Sequence, residues 1–269
     1  MNADTFRQMH QKSCEYWWYR AKRELIRLLL DDVLKKKNSN CNNGVSLVKP
    51  IRIADLGCGT GAMFEILAEY GELFGLEPSR DAVSWAATTQ KARLVQAESG
   101  KTPFVNDKFD LVTMFDSLEH IDDDIQVVQD TFRILRDGGY LIISVPAFQS
   151  LMTWRETQLG HKRRYSIKRL HRLLTDNGFE VLFNRYMYAA LFPLLVLKTL
   201  KDRLLPRPDM LRSDIAMPPE PWNTWLAKWF CLEAKVCKRW GLPFGTSIVC
   251  VAKPVKYQTV SFQGECFNE

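Results

Sequence analysis

Residues 51–67, IRIADLGCGTGAMFEIL, place Gly57, Gly59 and Gly61 within five positions, after a β-branched run and before a helical pattern. A glycine-rich turn from strand to helix lets backbone approach a ligand closely and points N–H groups at it. Three ligand classes use such a turn: a nucleoside triphosphate, a dinucleotide, or a ligand with no phosphate. A triphosphate loop needs GxxxxGK[ST], and no lysine follows Gly61 at that place. A dinucleotide turn needs GxGxxG, whereas the third glycine comes one residue early, as GxGxG.

The neighbouring acids separate the classes. Asp55 stands two residues before Gly57, at the tip of the strand. A carboxylate there repels pyrophosphate but can meet an ammonium group. Glu77, sixteen residues after Gly61 in LFGLEPS, is placed to accept hydrogen bonds from ribose hydroxyls. Glu98, in QAESGKTPF, could meet an adenine amino group. A ligand with an adenosine, an ammonium group and no required phosphate is S-adenosylmethionine. The alternatives stay open residue by residue: the glycines can serve packing alone, and Glu77 can be a surface acid.

These residues require elements that hold them. Strand-like runs (IRIADL, LFGLEP, ARLVQA, FDLVTMFD, YLIISVPA) alternate with helical patterns (AMFEILAEY, DAVSWAATTQ, DDIQVVQDTFRIL), which predicts an open parallel sheet wound on both sides. In such sheets ligands sit beyond the carboxyl ends of the strands, where the order reverses. The helix SIKRLHRLLTDNG, the strand FEVLFNRYMY and the strand TSIVCVAKP complete the pattern. A helical stripe over 13–34 includes Trp18, Leu25, Ile26 and Leu29, and the polar, turn-rich KKKNSNCNNGVS follows it. Residues 188–244, rich in Trp, Pro and Leu, are too long for a loop and are expected to be a helical insertion folded over the ligand end of the sheet. The expected organisation is an N-terminal helical segment and linker over 1–45, a core over 46–187 and 245–256, a helical cap over 188–244 and a tail over 257–269.

Composition sets outer limits. The 269 residues are 46% apolar and 25% charged, as in a globular protein. The polar start, MNADTFRQMH, predicts no secretory signal. Seven cysteines, none in a CxxC pair, predict reduced thiols and a cytoplasmic setting. The four histidines, at 10, 120, 161 and 171, show no metal-ligand spacing, so no metal is expected. The apolar run 186–197 is twelve residues with a proline inside, against the roughly 20 that span a bilayer. Net charge is +6, and HKRRYSIKRLHR (161–172) carries six Lys/Arg in twelve residues: a solvated helix face, or a surface for an anionic substrate, membrane or nucleic acid.

IADLGCGTG, GLEPS, AESGKTPFVNDKFDLVTMFDSLEHIDDD and GGYLIISVPA resemble the class I S-adenosylmethionine-dependent methyltransferases, in the broad group that includes the quinone-biosynthesis methyltransferases. The resemblance runs over residues 50–187 and resumes at the last strand. EYWWYRAKR and LGHKRRYS are similar to a bacterial subgroup of these enzymes. It implies a Rossmann-like, seven-stranded, mainly parallel sheet with helices on both faces, an N-terminal helix and a helical insertion before the last strand. It also implies that Gly57, Cys58 and Gly59 approach the methionine part and that Asp55 faces its amino group. Glu77 and Pro78 hold the ribose, Glu98 and Ser99 line the adenine, and Phe115 and Asp116 close the strand-four end. Glu77 and Glu98 stand where Asp is commoner in the family. Trp18 and Arg20 are candidates for the methionyl end, Arg20 through the methionine carboxylate; packing within the helix is the alternative for the tryptophan.

Methyl transfer from a sulfonium requires a base only when the acceptor must lose a proton. His161, His120 and Asp116 are the candidates, and Arg164, Tyr165 and Tyr188 are candidates for acceptor contact. No [DNS]PP[YF] follows strand four, where the sequence is FDSLE, which disfavours amino methylation of a nucleobase. The expected acceptor is a small, largely apolar metabolite. A lipid, quinone or lipid-linked glycan reached at a membrane surface is the alternative, resting on YMYAALFPLLVLKTLKDR and the adjacent basic patch. A non-catalytic protein that binds an adenosyl ligand and a partner is a further one. Nucleic acid is disfavoured, because no added RNA-binding module is present.

Overall fold

The computed structural model describes residue 10 and residues 15–39, 50–204 and 218–256, with the side chains of 34–39 excepted. The expected linker after the first helix, the tail over 257–269 and part of the insertion lie outside the described residues.

Apolar runs bounded by Gly and polar turns form seven strands: β1 (Ile51–Leu56), β2 (Gly71–Leu76), β3 (Arg93–Val95), β4 (Phe109–Phe115), β5 (Leu135–Pro146), β6 (Phe179–Met187) and β7 (Ser247–Pro254). They make one sheet in the order β3-β2-β1-β4-β5-β7-β6. β1 to β5 pair in parallel, and β7 enters antiparallel between β5 and β6. The order reverses between β1 and β4, so a crevice opens where the glycine turn leaves β1.

Eight helices connect and cover the strands among the described residues: α1 (Trp17–Ser39), α2 (Phe64–Leu67), α3 (Arg80–Ala87), α4 (Asp124–Ile134), α5 (Trp154–Gln158), α6 (Ile167–Thr175), α7 (Phe192–Leu204) and α8 (Trp222–Trp240). Alternate residues of each strand feed opposite faces. On β1, Ile53 joins one buried cluster, with Leu25 and Leu29 of α1 and Phe230 and Ala234 of α8. Its neighbours Ala54 and Leu56 join the other, with Val127 and Val128 of α4 and Leu170 and Leu174 of α6.

Three elements differ from the sequence expectation. The helix expected over 62–70 is four residues long, because beyond Leu67 the backbone tightens into i→i−3 bonds, Glu69 to Ile66 and Tyr70 to Leu67. β5 begins at Leu135, running through Gly138 and Gly139 instead of starting after them. α8 lies along α1 on one face of the sheet: Trp17 stacks on Phe230 with centroids 4.9 Å apart. Asn223 fixes that pairing, accepting from the Trp17 N–H at 2.9 Å and donating to the Glu15 carbonyl at 2.9 Å. Among the described residues no helix is long and apolar enough to cross a membrane.

Candidate active site

The turn after β1 takes left-handed backbone at Gly57, Gly59 and Gly61, with φ of +74°, +55° and +81°. At Gly57 a side chain is impossible as well as strained: a Cβ would fall 2.5 Å from the Ser117 Cβ. Ser117, in the loop after β4, donates from its hydroxyl to the Leu56 carbonyl at 2.9 Å and so closes the floor of the crevice. Around Gly59 nothing lies within 4 Å of where a Cβ would sit, which leaves a cradle for a ligand.

Two buried acids flank this turn. Asp55 is 3% exposed, and its Oδ1 accepts from the Thr113 hydroxyl at 2.7 Å. Burial pushes its pKa up to about 6, against the pull of Thr113 and Lys22, and the Glu77 charge adds to the rise. A cation placed beside it returns it to the ionised form. Glu77 accepts from the Gly59 N–H and from the Ser79 N–H, each at 3.0 Å, so it ties the glycine turn to the start of α3. Burial raises its pKa while those two N–H donors oppose the rise. Each of its oxygens keeps a second lone pair for a ribose hydroxyl.

Asp116 ends β4 with φ of +50°. Its Oδ1 accepts from Ser144 at 2.9 Å and its Oδ2 pairs with the Lys22 ammonium at 2.5 Å. Lys22 also lies 5.5 Å from the centroid of the Phe115 ring. The sequence reading passed over Lys22 as a site residue. The only signal was a lysine on the buried stripe of a helix, between Trp18 and Leu25, where it is 6% exposed.

A cavity of about 680 Å³ runs along these groups. Asp55, Gly57, Cys58, Gly59, Glu77, Pro78, Glu98, Ser99, Phe115, Asp116 and His120 line it, and so do Tyr19, Lys22, Met63, Ile121, Leu159 and Gly160, which the sequence did not single out. Burial raises the Cys58 thiol well above its ordinary value, so at neutral pH it is an apolar wall. Burial first, then His161, lowers His120 to about 4, leaving a neutral ring.

Six other candidates stand back from the cavity wall, each for a stated reason. Arg20 turns to Thr224 on α8, Nη1 to Oγ1 3.4 Å. Trp18 stacks on Tyr188, centroids 4.4 Å apart. Arg164 is 6% exposed and grips Glu156, Nη2 to Oε1 2.7 Å, and the Ala147 carbonyl at 2.7 Å. Tyr165 is fully buried and donates to Asp124 at 2.9 Å. His161 lies behind His120, ring centroids 4.5 Å apart and nearly perpendicular. The basic run is largely neutralised from within: Lys162 pairs with Asp122, Arg163 and Arg169 with Asp124, and Arg164 with Glu156.

A glycine turn set between two buried acids at the point where the strand order reverses fits the class I S-adenosylmethionine-dependent methyltransferases that the sequence resembles. Residues 16–183 match the family described as "Methyltransferase domain", and the chain belongs to that family. It is 29% identical over 133 residues to a "Probable S-adenosylmethionine-dependent methyltransferase" of Mycolicibacterium smegmatis, across 48% of this chain and 52% of that one. It is 28% identical over 117 residues to the ubiquinone/menaquinone biosynthesis C-methyltransferase UbiE of Vibrio vulnificus, across 37% of this chain and 44% of the relative. The chain thus spans about half the length of the curated relatives it matches. Among solved structures it resembles the complex of the Haloferax volcanii Trm112 methyltransferase activator and a methyltransferase, at TM-score 0.58 and 18% identity over 95% of both chains; that likeness is one of fold.

Proposed function

We propose that this methyltransferase acts on a small, largely apolar molecule that enters the same cavity as the cofactor. The observation that carries this reading is the cavity itself. At about 680 Å³ it falls in the roughly 300–1,000 Å³ range of small-molecule sites, and Tyr19, Met63, Phe115, Ile121 and Leu159 give it apolar walls.

The residues fit S-adenosylmethionine: the cradle at Gly59 admits it, Asp55 is a buried acid in want of a cation, and Glu77 is held for a ribose. When bound, the cofactor supplies a methyl group on a sulfonium, which is already activated for displacement. The chain therefore contributes alignment and exclusion of water, which together can lower a barrier by about 7–11 kcal/mol. Lys22 and Ser144 orient Asp116 just past β4, on the cavity wall, which supports it as the group that takes a proton from an acceptor. His120, lowered to about 4, is a neutral and weakly basic ring on the same wall.

The test is release of S-adenosylhomocysteine from pure protein offered apolar phenols, quinols and amines. Turnover with one class, lost in Glu77→Ala, supports the reading. Binding of the cofactor product with no turnover on any class removes it and leaves the non-catalytic alternative.

A second reading, a lipid or lipid-linked acceptor met at a membrane surface, is favoured by one observation. Trp222, Trp225, Trp229 and Leu232 form an exposed stripe at helical spacing on α8, each 49–60% exposed, with Lys228 and Lys235 on the same helix. Sedimentation with anionic vesicles, lost when the three tryptophans become serine, would bring this reading forward.

A further inference from the structure

Glu119 and His120 follow β4 in one 3₁₀ turn, and His161 comes forty-one residues after His120, just past α5. The fold sets the three together: one ligand atom from each lies within 4.8 Å of the other two. Glu119 is 1% exposed, and neither of its carboxylate oxygens has a hydrogen-bond partner. A buried carboxylate left wholly unpaired costs several kcal/mol when ionised, so a group of this kind either keeps its proton or meets a counter-charge.

The surrounding groups are arranged for one. His161 Nδ1 faces Glu156 Oε1 at 3.5 Å, and Glu156 is clamped by Arg164 through Nε at 3.0 Å and Nη2 at 2.7 Å. His161 Nδ1 has no hydrogen-bond partner at that distance, but the carboxylate stands where the outer support of a metal-bound imidazole sits. Asp116, a nearby carboxylate on the cavity wall, is already engaged by Lys22 and Ser144.

We infer that Glu119, His120 and His161 form a site for one divalent transition cation of the zinc or ferrous class, on the acceptor side of the methyl-transfer cavity. Two imidazoles and a carboxylate suit such ions, whereas magnesium and calcium prefer all-oxygen shells. Donors bound at about 2.0–2.2 Å stand roughly 3.4 Å apart in a tetrahedron, so small rotamer changes close the present spacing. The expectation of no metal rested on spacing along the chain; here the ligands converge only through the fold. His120 lines the cavity, so the ion would border the acceptor and favour one that ligates through oxygen. That last consequence rests on the small-molecule reading; the site itself does not.

The test uses the full chain stripped with EDTA and titrated with Co²⁺, then Zn²⁺, followed by visible absorption and calorimetry. The expected result is one equivalent of cobalt with d–d bands and no thiolate-to-cobalt charge transfer. Glu119→Gln and His161→Ala should each weaken binding by about 100-fold or more, and Glu156→Gln by about 10–100-fold. S-adenosylhomocysteine binding, measured alongside, should persist in Glu119→Gln and shows that the fold survives. No uptake of cobalt or zinc, uptake unchanged in both ligand variants, or a thiolate charge-transfer band would each overturn the site, whether or not any acceptor is ever turned over.

Discussion

Asp55 connects protonation to ligand binding. It lies at the tip of β1, faced by Thr113 from β4, Lys22 from α1 and Glu77 from the end of β2, and burial raises it from 3.8 to about 6. Because the folded chain holds this proton more tightly, the group's contribution to stability is full below pH 3.8 and is lost as pH rises through about 6. Relative to Asp55→Asn, the ligand-free protein should therefore lose about 2 kcal/mol between pH 4 and 7, read by denaturant unfolding. Affinity for the aminoacyl ligand runs the other way, since an ammonium group prefers the ionised acid. Calorimetric affinity for S-adenosylhomocysteine should fall below about pH 6, and the Asp55→Asn profile should be flat there. Glu77→Ala strips the Gly59 and Ser79 N–H groups of their acceptor as well as removing the acid proposed to hold the ribose. About 1.5–3 kcal/mol of binding should go with it, or one to two orders of magnitude in affinity. At this scale the position of Asp55 and Glu77 beside the glycine turn was legible in the sequence, because one precedes the turn on β1 and the other ends the neighbouring strand. Lys22 and Glu119 were not legible as site groups, because each reaches the site only through packing between distant elements; His161 was singled out as a base, but not as a neighbour of Glu119.

The α1–α8 pair shows what happens one level up. Both helices were foreseeable from apolar periodicity, yet their partnership was not, since nothing along the chain says which of several apolar stripes will meet. The sequence suggested a lid over the ligand end, whereas α8 lies along α1, beside β6, and no described residue of the insertion lines the cavity. The contact is strong where α1 begins: Trp17 is 7% exposed and stacked on Phe230. Trp17→Ala should cost about 3–5 kcal/mol in unfolding free energy, as for other large aromatic truncations in a core. Asn223→Ala, which leaves a main-chain N–H and a carbonyl without partners, should cost about 1–3 kcal/mol. The basic stretch teaches the opposite lesson. Its charge density suggested a solvated helix face, which Lys168, Arg169 and Arg172 form on α6, but Arg164 is buried and Lys162, Arg163 and Arg169 answer acids of their own chain.

For the molecule as a whole, the buried cluster that holds Ile53 and Ile142 of the sheet also holds Phe230 and Cys237 of the insertion. One shared core predicts one cooperative transition: tryptophan fluorescence, dominated by α8, should melt together with far-ultraviolet circular dichroism. Saturating ligand should move both probes equally, by about 2.7 kcal/mol at a hundredfold excess over Kd. β7 carries a further consequence, for the timing of synthesis. It is the last strand in chain order, yet it sits inside the sheet between β5 and β6. From Pro146 to Pro254 a ribosome needs about 5–20 s at 5–20 residues per second. Until then the outer edge of β5 has no strand to pair with and is open to a neighbouring nascent chain. The yield of native protein should therefore depend on how crowded the chains are as they emerge, well before any cofactor is present to help.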